Sequence, residues 1–342
     1  MNSTALVPQD LIAPRGLSLV QSGLYKIRVS VRARWQQLRR ELAEDLAIQR
    51  TRLAAFAERV RVALDPSVSS TVSAYRVSQA HALRAGRRVL EAPLAAESAS
   101  WVQPVELAAG FLDLEHRRTL ARHWLDQAQG AHAAIAAYTQ LASELMALGA
   151  HPELLMHVHA AALERVHHAE GAFSIASAFA GFEISPSAWP ELPRRARSSS
   201  RSRDAALVCI AERALLEGWL STSFGAAVAQ LGSTRASEHG VAGHLRMVAE
   251  DSARQAAFGE RLVEWTLKLG GEPVALALSL AIRNLPRAPI SEAPIPGLRT
   301  EVMERNGVPG ASAQRALYLS CRDGVVRAMA AKLDGIERRY RR

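Results

Sequence analysis

The chain has little cysteine, few aromatic residues and no long hydrophobic run, and each shortage excludes a class of protein. Its 342 residues include two cysteines, Cys209 and Cys321, both in apolar stretches typical of helices. We predict that they are buried free thiols in a reducing compartment, which excludes a disulfide-dense secreted domain. Aromatic residues make up only 5% of the chain, and together with abundant alanine this favours packed helices over sheets.

Membrane and secretion signals are also missing from the sequence. The best apolar run, Pro273 to Ile282, is about half of the ~20 residues that a membrane-spanning helix needs. Residues 1–22 have no basic cluster followed by an apolar run, so we predict no secretory signal. The sequence therefore predicts a cytoplasmic protein without a transmembrane segment.

Lysine is scarce, although the chain is basic. It occurs only at positions 26, 268 and 332, so nearly all of the 42 basic residues are arginine, and the formal net charge is +9. The arginine-rich segments 194–203 and 338–342 are candidates for contact with an acidic partner, whether nucleic acid, anionic lipid or protein. The first segment has no interleaved aromatic residue for base stacking. The alternative is an arginine-rich composition with solvated loops.

The first 116 residues are predicted to form an N-terminal extension. Residues 1–23 contain two prolines without a regular period and are predicted to be disordered, and 24–116 are predicted to be a helical extension. Its main helix, 25–64, carries an apolar stripe with a spacing of mostly three and four: Trp35, Leu38, Leu42, Leu46, Leu53 and Phe56. A single helix cannot bury such a stripe alone. We therefore predict a protein partner or self-association through this helix. Shorter helices are predicted over 71–91 and 105–112.

The main domain is predicted to be an all-α four-helix bundle over 117–270, followed by a helical tail over 271–342. The predicted helices of the domain span 117–148, 152–180, 204–231 and 238–269, and those of the tail span 273–284 and 311–337. The first two helices are joined by a short turn, as are the last two, while a longer connection joins the pairs. This connectivity is typical of ferritin-like bundles.

The chemistry of such bundles depends on carboxylates that face inward. Di-metal bundles take a glutamate from each of two helices and a Glu-x-x-His pair from each of the other two, because hard cations bind anionic oxygen. The predicted helix 152–180 contains this motif at Glu164 and His167. At about 100° per residue both lie far from the apolar stripe. We interpret them as an exposed polar face; the alternative is a metal-binding pair.

A set of residues between Trp124 and Gly181 forms a recognisable pattern: His132, Ala133, Leu141, Glu144, Leu148-Gly149-Ala150, Pro152-Glu153-Leu154, His168-Ala169 and Ala176-Ser177. In these residues the stretch resembles bacterial ferritin-like domain proteins. Further matches are Glu217-Gly218, Asn306-Gly307 and Gly324-Val325-Val326. The resemblance extends over residues 117–335. It implies a ferritin-like fold with an iron or manganese site.

The resemblance also implies six metal ligands, and five of the six positions carry other residues. The positions fall on Ala131, Arg165, His168, Thr222, Ser252 and Gln255, of which only His168 keeps the expected type. Helical periodicity alone places 131, 222, 252 and 255 on inward faces and 165 close to one. We therefore predict no metal, no cofactor and no catalytic residue. If Arg165 is buried it needs a partner, for which Asp251 is the candidate; the alternative is that its charged end reaches the surface.

Three functional hypotheses follow from these observations. The first is a non-catalytic ferritin-like protein that acts as a structural or protein-interaction module. The second is a ferritin-like di-metal oxidoreductase or metal-storage protein with iron or manganese, as the resemblance implies. The third is an arginine-mediated binder of nucleic acid or anionic lipid.

Overall fold

The computed structural model describes residues 84–85, 88–89, 94–95, 101–107, 109–188, 203–285 and 299–340. Contacts within the chain divide it after residue 58, and every described residue belongs to the second part, 59–342. The segment 1–23 and the stripe from Trp35 to Phe56 lie outside the described residues. So do nearly all of the arginine-rich segment 194–203 and the last two residues of 338–342.

The described part of the chain is all-α, as the sequence predicts, apart from four two-residue strands. The helices are α1 (Leu114–Ala147), α2 (Pro152–Ala180), α3 (Arg203–Arg213), α4 (Thr222–Arg235), α5 (His239–Arg283), α6 (Thr300–Arg305) and α7 (Ala311–Tyr340). A π-helical segment, Ala214–Ser221, joins α3 directly to α4. No described helix has the length and hydrophobicity needed to cross a lipid bilayer.

Local sequence signals explain where the helices begin and end. The Asp113 carboxylate caps α1 by accepting the backbone N–H of His116 at 2.9 Å. Pro152 occupies the first turn of α2, where its missing N–H costs no hydrogen bond. Gly149 and Gly181 follow the ends of α1 and α2 with φ values of 74° and 79°, which glycine adopts without steric cost. The predicted bounds of these helices agree with the structure to within about one helical turn.

Two predicted helices of the extension are wrong where the structure describes them. Strand β1 (Arg84–Ala85) pairs antiparallel with β2 (Arg88–Val89), where a helix over 71–91 was expected. Residues 101–107 are not helical, and a short 3-10 turn covers Ala109–Phe111. Gly86 and Pro104 oppose helix formation here, and tertiary contacts supply the alternative. The backbone N–H of Gln103 donates to Ser174 Oγ on α2 at 2.8 Å, and β3 (Leu94–Ala95) pairs with β4 (Ser185–Pro186).

The long helices pack side by side around a continuous core. Helix α1 packs along α2, and α3, the π-helical segment and α4 pack along α5, which also contacts α2. Gly259 of α5 lies against the backbone of Gly218 so closely that a Cβ there would overlap it, which lets α5 approach the π-helical segment. Gly271 is non-helical, with φ 55° and ψ −134°, so α5 is two helical stretches joined at a kink. The separate sequence predictions 238–269 and 273–284 match these stretches.

Candidate functional site

The six positions singled out from the sequence lie together in the structure. Ala131, Arg165, His168, Thr222 and Ser252 line one cavity of about 90 Å³. Gln255 is 2% exposed and accepts a hydrogen bond from Arg165. Helices α1, α2, α4 and α5 therefore bring all six positions to one place in the interior.

A closed ring of hydrogen bonds links α2 to α5 beside this cavity. We call it the polar ring; its members are Glu164, Arg165, His168, Asp251, Arg254 and Gln255. On one side, the Arg165 guanidinium donates to Gln255 Oε1. Gln255 Nε2 donates to Glu164 Oε2 at 2.7 Å, and Arg254 donates to Glu164 Oε1 at 3.1 Å.

The other side of the polar ring passes through a histidine and an aspartate. Arg254 donates to Asp251 Oδ1, and His168 Nε2 lies 2.8 Å from Asp251 Oδ2. Arg165 Nη1 lies 3.4 Å from His168 Nδ1 and closes the ring. These partners assign the tautomer of His168, because only a neutral imidazole with its proton on Nε2 can donate to Asp251 and accept from Arg165.

The electrostatics of the polar ring agree with this assignment. Burial lowers the pKa of His168 to about 4, although its hydrogen bond to Asp251 acts in the opposite direction. Burial by itself would raise the pKa of Asp251, but the hydrogen bond with His168 and the charge of Arg254 lower it below its usual value. With two arginines and two carboxylates, the polar ring is neutral overall near pH 7.

Two interpretations from the sequence are wrong here. Asp251 does not pair with Arg165, because His168 and Arg254 occupy its two oxygens. Glu164 does not face solvent but joins the polar ring with its side chain 19% exposed, since the flexible side chain reaches around α2 to the donors on α5. His167, by contrast, is 57% exposed, as helical periodicity indicates.

A tyrosine and two further histidines complete the polar region. Tyr138 on α1 donates to Gln255 Oε1 at 3.3 Å, and burial raises the pKa of its hydroxyl to about 12. His123 and His244 line the cavity on either side of Trp124, each with a ring-centroid distance of 5.7 Å. Burial lowers the pKa of His123 to about 4 and that of His244 to about 3, so both are neutral near pH 7.

Two glycines shape the walls of the cavity. A Cβ at Gly171 would overlap the His244 ring, so the imidazole lies directly on the backbone of α2. Gly307, with φ 82°, lines the cavity, and a Cβ there would come within 2.6 Å of Leu245. The Asn306-Gly307 match in the tail therefore contacts the interior, a role that its position in the sequence did not predict.

The cavity wall contains nitrogen donors but no acidic side chain among its described residues. Trp124 Nε1, Gln127 Nε2 and Arg165 Nε are buried and have no hydrogen-bond partner in the described part of the chain. An unsatisfied buried donor costs about 1–3 kcal/mol. These N–H groups can only donate hydrogen bonds, whereas a metal ion binds to side-chain atoms that offer a lone pair.

The residues do not fit the iron or manganese pair that the family resemblance implies. The described residues contain no group of three or more His, Cys, Asp or Glu side chains that could hold a metal ion. The carboxylates of Glu164 and Asp251 accept hydrogen bonds within the polar ring. Each lies one residue before an expected ligand position, about 100° around its helix.

Comparison with family models, with curated proteins and with solved structures finds no match for this chain.

Proposed function

We propose that the chain is a non-catalytic ferritin-like protein, a four-helix scaffold in which the polar ring occupies the region of the metal pair. The observation that carries this proposal is the closure of the ring: six side chains from α2 and α5 form hydrogen bonds with one another at the expected ligand positions or next to them. In a metal-binding bundle, cations hold the carboxylates of facing helices together. Here the Arg254 guanidinium contacts the carboxylates of both Glu164 and Asp251.

The arrangement of the helices supports the ferritin-like part of the proposal. Helices α1 and α2 form one antiparallel pair with a short turn, and α3, the π-helical segment and α4 together form the second pair with α5. The connection between the pairs, from Gly181 to Ser202, is much longer than either turn. This is the connectivity of a bundle with one long crossover.

The interaction part of the proposal rests on apolar side chains at the surface. Leu163 on α2 is 60% exposed, and Leu276 on the second stretch of α5 is 62% exposed. Isolated exposed leucines are ordinary, but Met156 on α2 is exposed as well, two turns before Leu163 on the same helix. We propose that such faces, together with the N-terminal stripe, contact a protein partner or a second copy.

The test of the lost metal site is to rebuild it. The restored variant carries Ala131→Glu, Arg165→Glu, Thr222→Glu, Ser252→Glu and Gln255→His, and its matched control adds His168→Ala. Metal content is measured by mass spectrometry after loading with iron or manganese. We expect far less than one metal per chain in the natural sequence, and metal in the restored variant only with His168 present. Two metals per chain in the natural sequence would contradict the proposal and favour the oxidoreductase or storage hypothesis.

The test of the interaction module is to remove residues 1–58. We expect the remaining chain to keep its helical circular dichroism signal and to change its oligomeric state, measured by light scattering. Loss of the helical signal would show that the N-terminal segment is needed for folding. If the oligomeric state is unchanged and partner binding is retained, the segment has no role in interaction and this part of the proposal is wrong.

A further inference from the structure

We propose that the cavity beside the polar ring binds a small monocarboxylate of the size of acetate. This inference goes beyond the scaffold function and does not depend on it, because it concerns the charge, the hydrogen-bonding groups and the volume of the cavity.

The first property is an arginine without a carboxylate partner at the cavity wall. In the described part of the chain, the Arg165 guanidinium forms hydrogen bonds with neutral groups: Gln255 Oε1, His168 Nδ1 and the Tyr138 hydroxyl. The carboxylates of Glu164 and Asp251 both receive Arg254 instead, which is 60% exposed and does not line the cavity. The polar ring is neutral as a whole, but its positive charge on Arg165 lies at the cavity wall while both carboxylates contact Arg254, so a bound anion would contact Arg165 directly.

The second property is the excess of donors over acceptors. The buried donors Trp124 Nε1 and Gln127 Nε2, on side chains that line the cavity, have no partner among the described residues. The Arg165 Nε atom is in the same situation. A carboxylate has two oxygens and about four acceptor positions, so with small side-chain adjustments it can receive several of these donors at once.

The third property is the volume and the lining of the cavity. Its volume of about 90 Å³ is several times the ~10–15 Å³ that one water molecule needs on the same measure, so a molecule of four heavy atoms has room in it. Part of the lining is apolar and comes from Ala131, Ala172 and Val228. An acetate methyl group could contact this part while the carboxylate contacts Arg165. A larger oxyanion with a complete polar surface would leave donors or acceptors unmatched against the alanines.

The experiment compares acetate with acetamide, which has nearly the same shape and no charge. Binding to the full-length protein is measured by isothermal titration calorimetry at constant ionic strength, and contact is checked by saturation-transfer NMR on the ligand methyl group. Sodium chloride serves as the reference salt. We expect saturable acetate binding and at least ~10-fold weaker acetamide binding, since a charge-assisted hydrogen bond is lost.

Two matched variants locate the site. Arg165→Gln and Arg254→Gln each remove one positive charge from the polar ring, but only Arg165 lines the cavity. We expect Arg165→Gln to weaken acetate binding by ~10-fold or more, as loss of a charged contact does. Arg254→Gln should change it by less than about twofold, because an exposed charge is screened.

Several outcomes would overturn the proposal. These are no saturable acetate binding, equal binding of acetate and acetamide, or equal effects of the two arginine substitutions. If Arg165→Gln does not fold, Ala131→Leu serves instead, because a larger side chain at this cavity-lining position occupies the ligand volume. Acetate binding that survives Ala131→Leu unchanged would also overturn the proposal.

Discussion

The interior of the described part of the chain has a polar end and an apolar end, and α1, α2 and α5 contribute to both. The polar end holds the cavity, lined by the first half of α1, the second half of α2, α4 and the start of α5, and the polar ring between α2 and α5. At the other end, the same helices bury Leu145, Val158 and Leu262, each at most 1% exposed. Two kinds of stabilisation therefore act along one set of helices.

The two ends differ in their sensitivity to pH and to substitutions. The apolar end is stabilised by burial, which is non-directional and nearly independent of pH. The polar end depends on protonation states and on geometry, because buried polar groups stabilise a fold only when they are paired.

The largest effect should come from acid, and it should come from the polar end. The folded-state pKa values of His123 and His244, about 4 and about 3, lie below the ordinary value of 6.5. As the pH falls below about 6.5 the unfolded chain therefore binds protons first, so stability is complete above this pH and decreases towards pH 4. We expect each of these histidines to lower the free energy of unfolding by on the order of 3 kcal/mol when the pH falls to 4. Urea unfolding between pH 7.5 and 4 measures this change.

Matched histidine substitutions separate this effect from general acid unfolding. His167 is 57% exposed, so His167→Gln should leave the pH dependence unchanged. His123→Gln with His244→Gln should lower stability at pH 7 and make the profile between pH 6.5 and 4 less steep, while His168, whose pKa burial also lowers to about 4, keeps part of the pH dependence. A profile that stays equally steep in the double variant would show that other groups cause the acid sensitivity.

The second prediction compares one residue from each end. Leu145→Ala at the apolar end should cost about 2–5 kcal/mol, because it removes buried methyl groups and leaves a cavity. Ser252→Ala at the polar end should change stability by less than about 1 kcal/mol, since the buried Ser252 hydroxyl adjoins an existing cavity and loses at most one hydrogen bond. Denaturant midpoints measure both. A larger loss for Ser252→Ala than for Leu145→Ala would contradict the assignment of burial energy to the apolar end.

The third prediction concerns the polar ring itself. Asp251→Asn keeps the shape of the side chain but removes the charge that receives His168 and Arg254, and we expect a loss of about 1.5–3 kcal/mol. Arg254→Gln should cost about 1 kcal/mol or less, because that side chain is 60% exposed and screened. Equal effects of the two substitutions would indicate that the polar ring is not a buried network but a set of independent surface contacts.

Much of the helical structure could be predicted from the sequence, because helix formation depends on local signals. The caps at Asp113 and Gly181 and the apolar spacing within α2 act over a few residues. The non-helical segment 101–107 was missed because its contacts include distant residues, as the hydrogen bond from Gln103 to Ser174 shows. The strand pair over 84–89 is local, since Arg84 pairs with Val89 and Ala85 with Arg88, and its short hairpin was read as part of a helix. The π-helical segment was also missed, since a change of hydrogen-bonding pattern within a helix has no clear sequence signal.

The candidate site, like the fold, could be predicted only in part from the sequence. Helical periodicity predicted that positions 131, 222, 252 and 255 face inward, and the structure places them at or beside one cavity. The residue types at the six positions where the resemblance implies ligands can be read without coordinates, and five of them differ from the implied types. It could not determine the partners of Arg165 and Asp251.

The partners of Arg165 and Asp251 depend on how the helices pack in the tertiary structure. The polar ring joins residues 164–168 to residues 251–255, about ninety positions apart in the chain, and periodicity defines the direction of a side chain only to within part of a helix face. Whether Glu164 faces solvent or reaches Gln255 depends on the separation of two packed helices and on rotamers. Local sequence determined which residues face inward, whereas helix packing determined which of them meet.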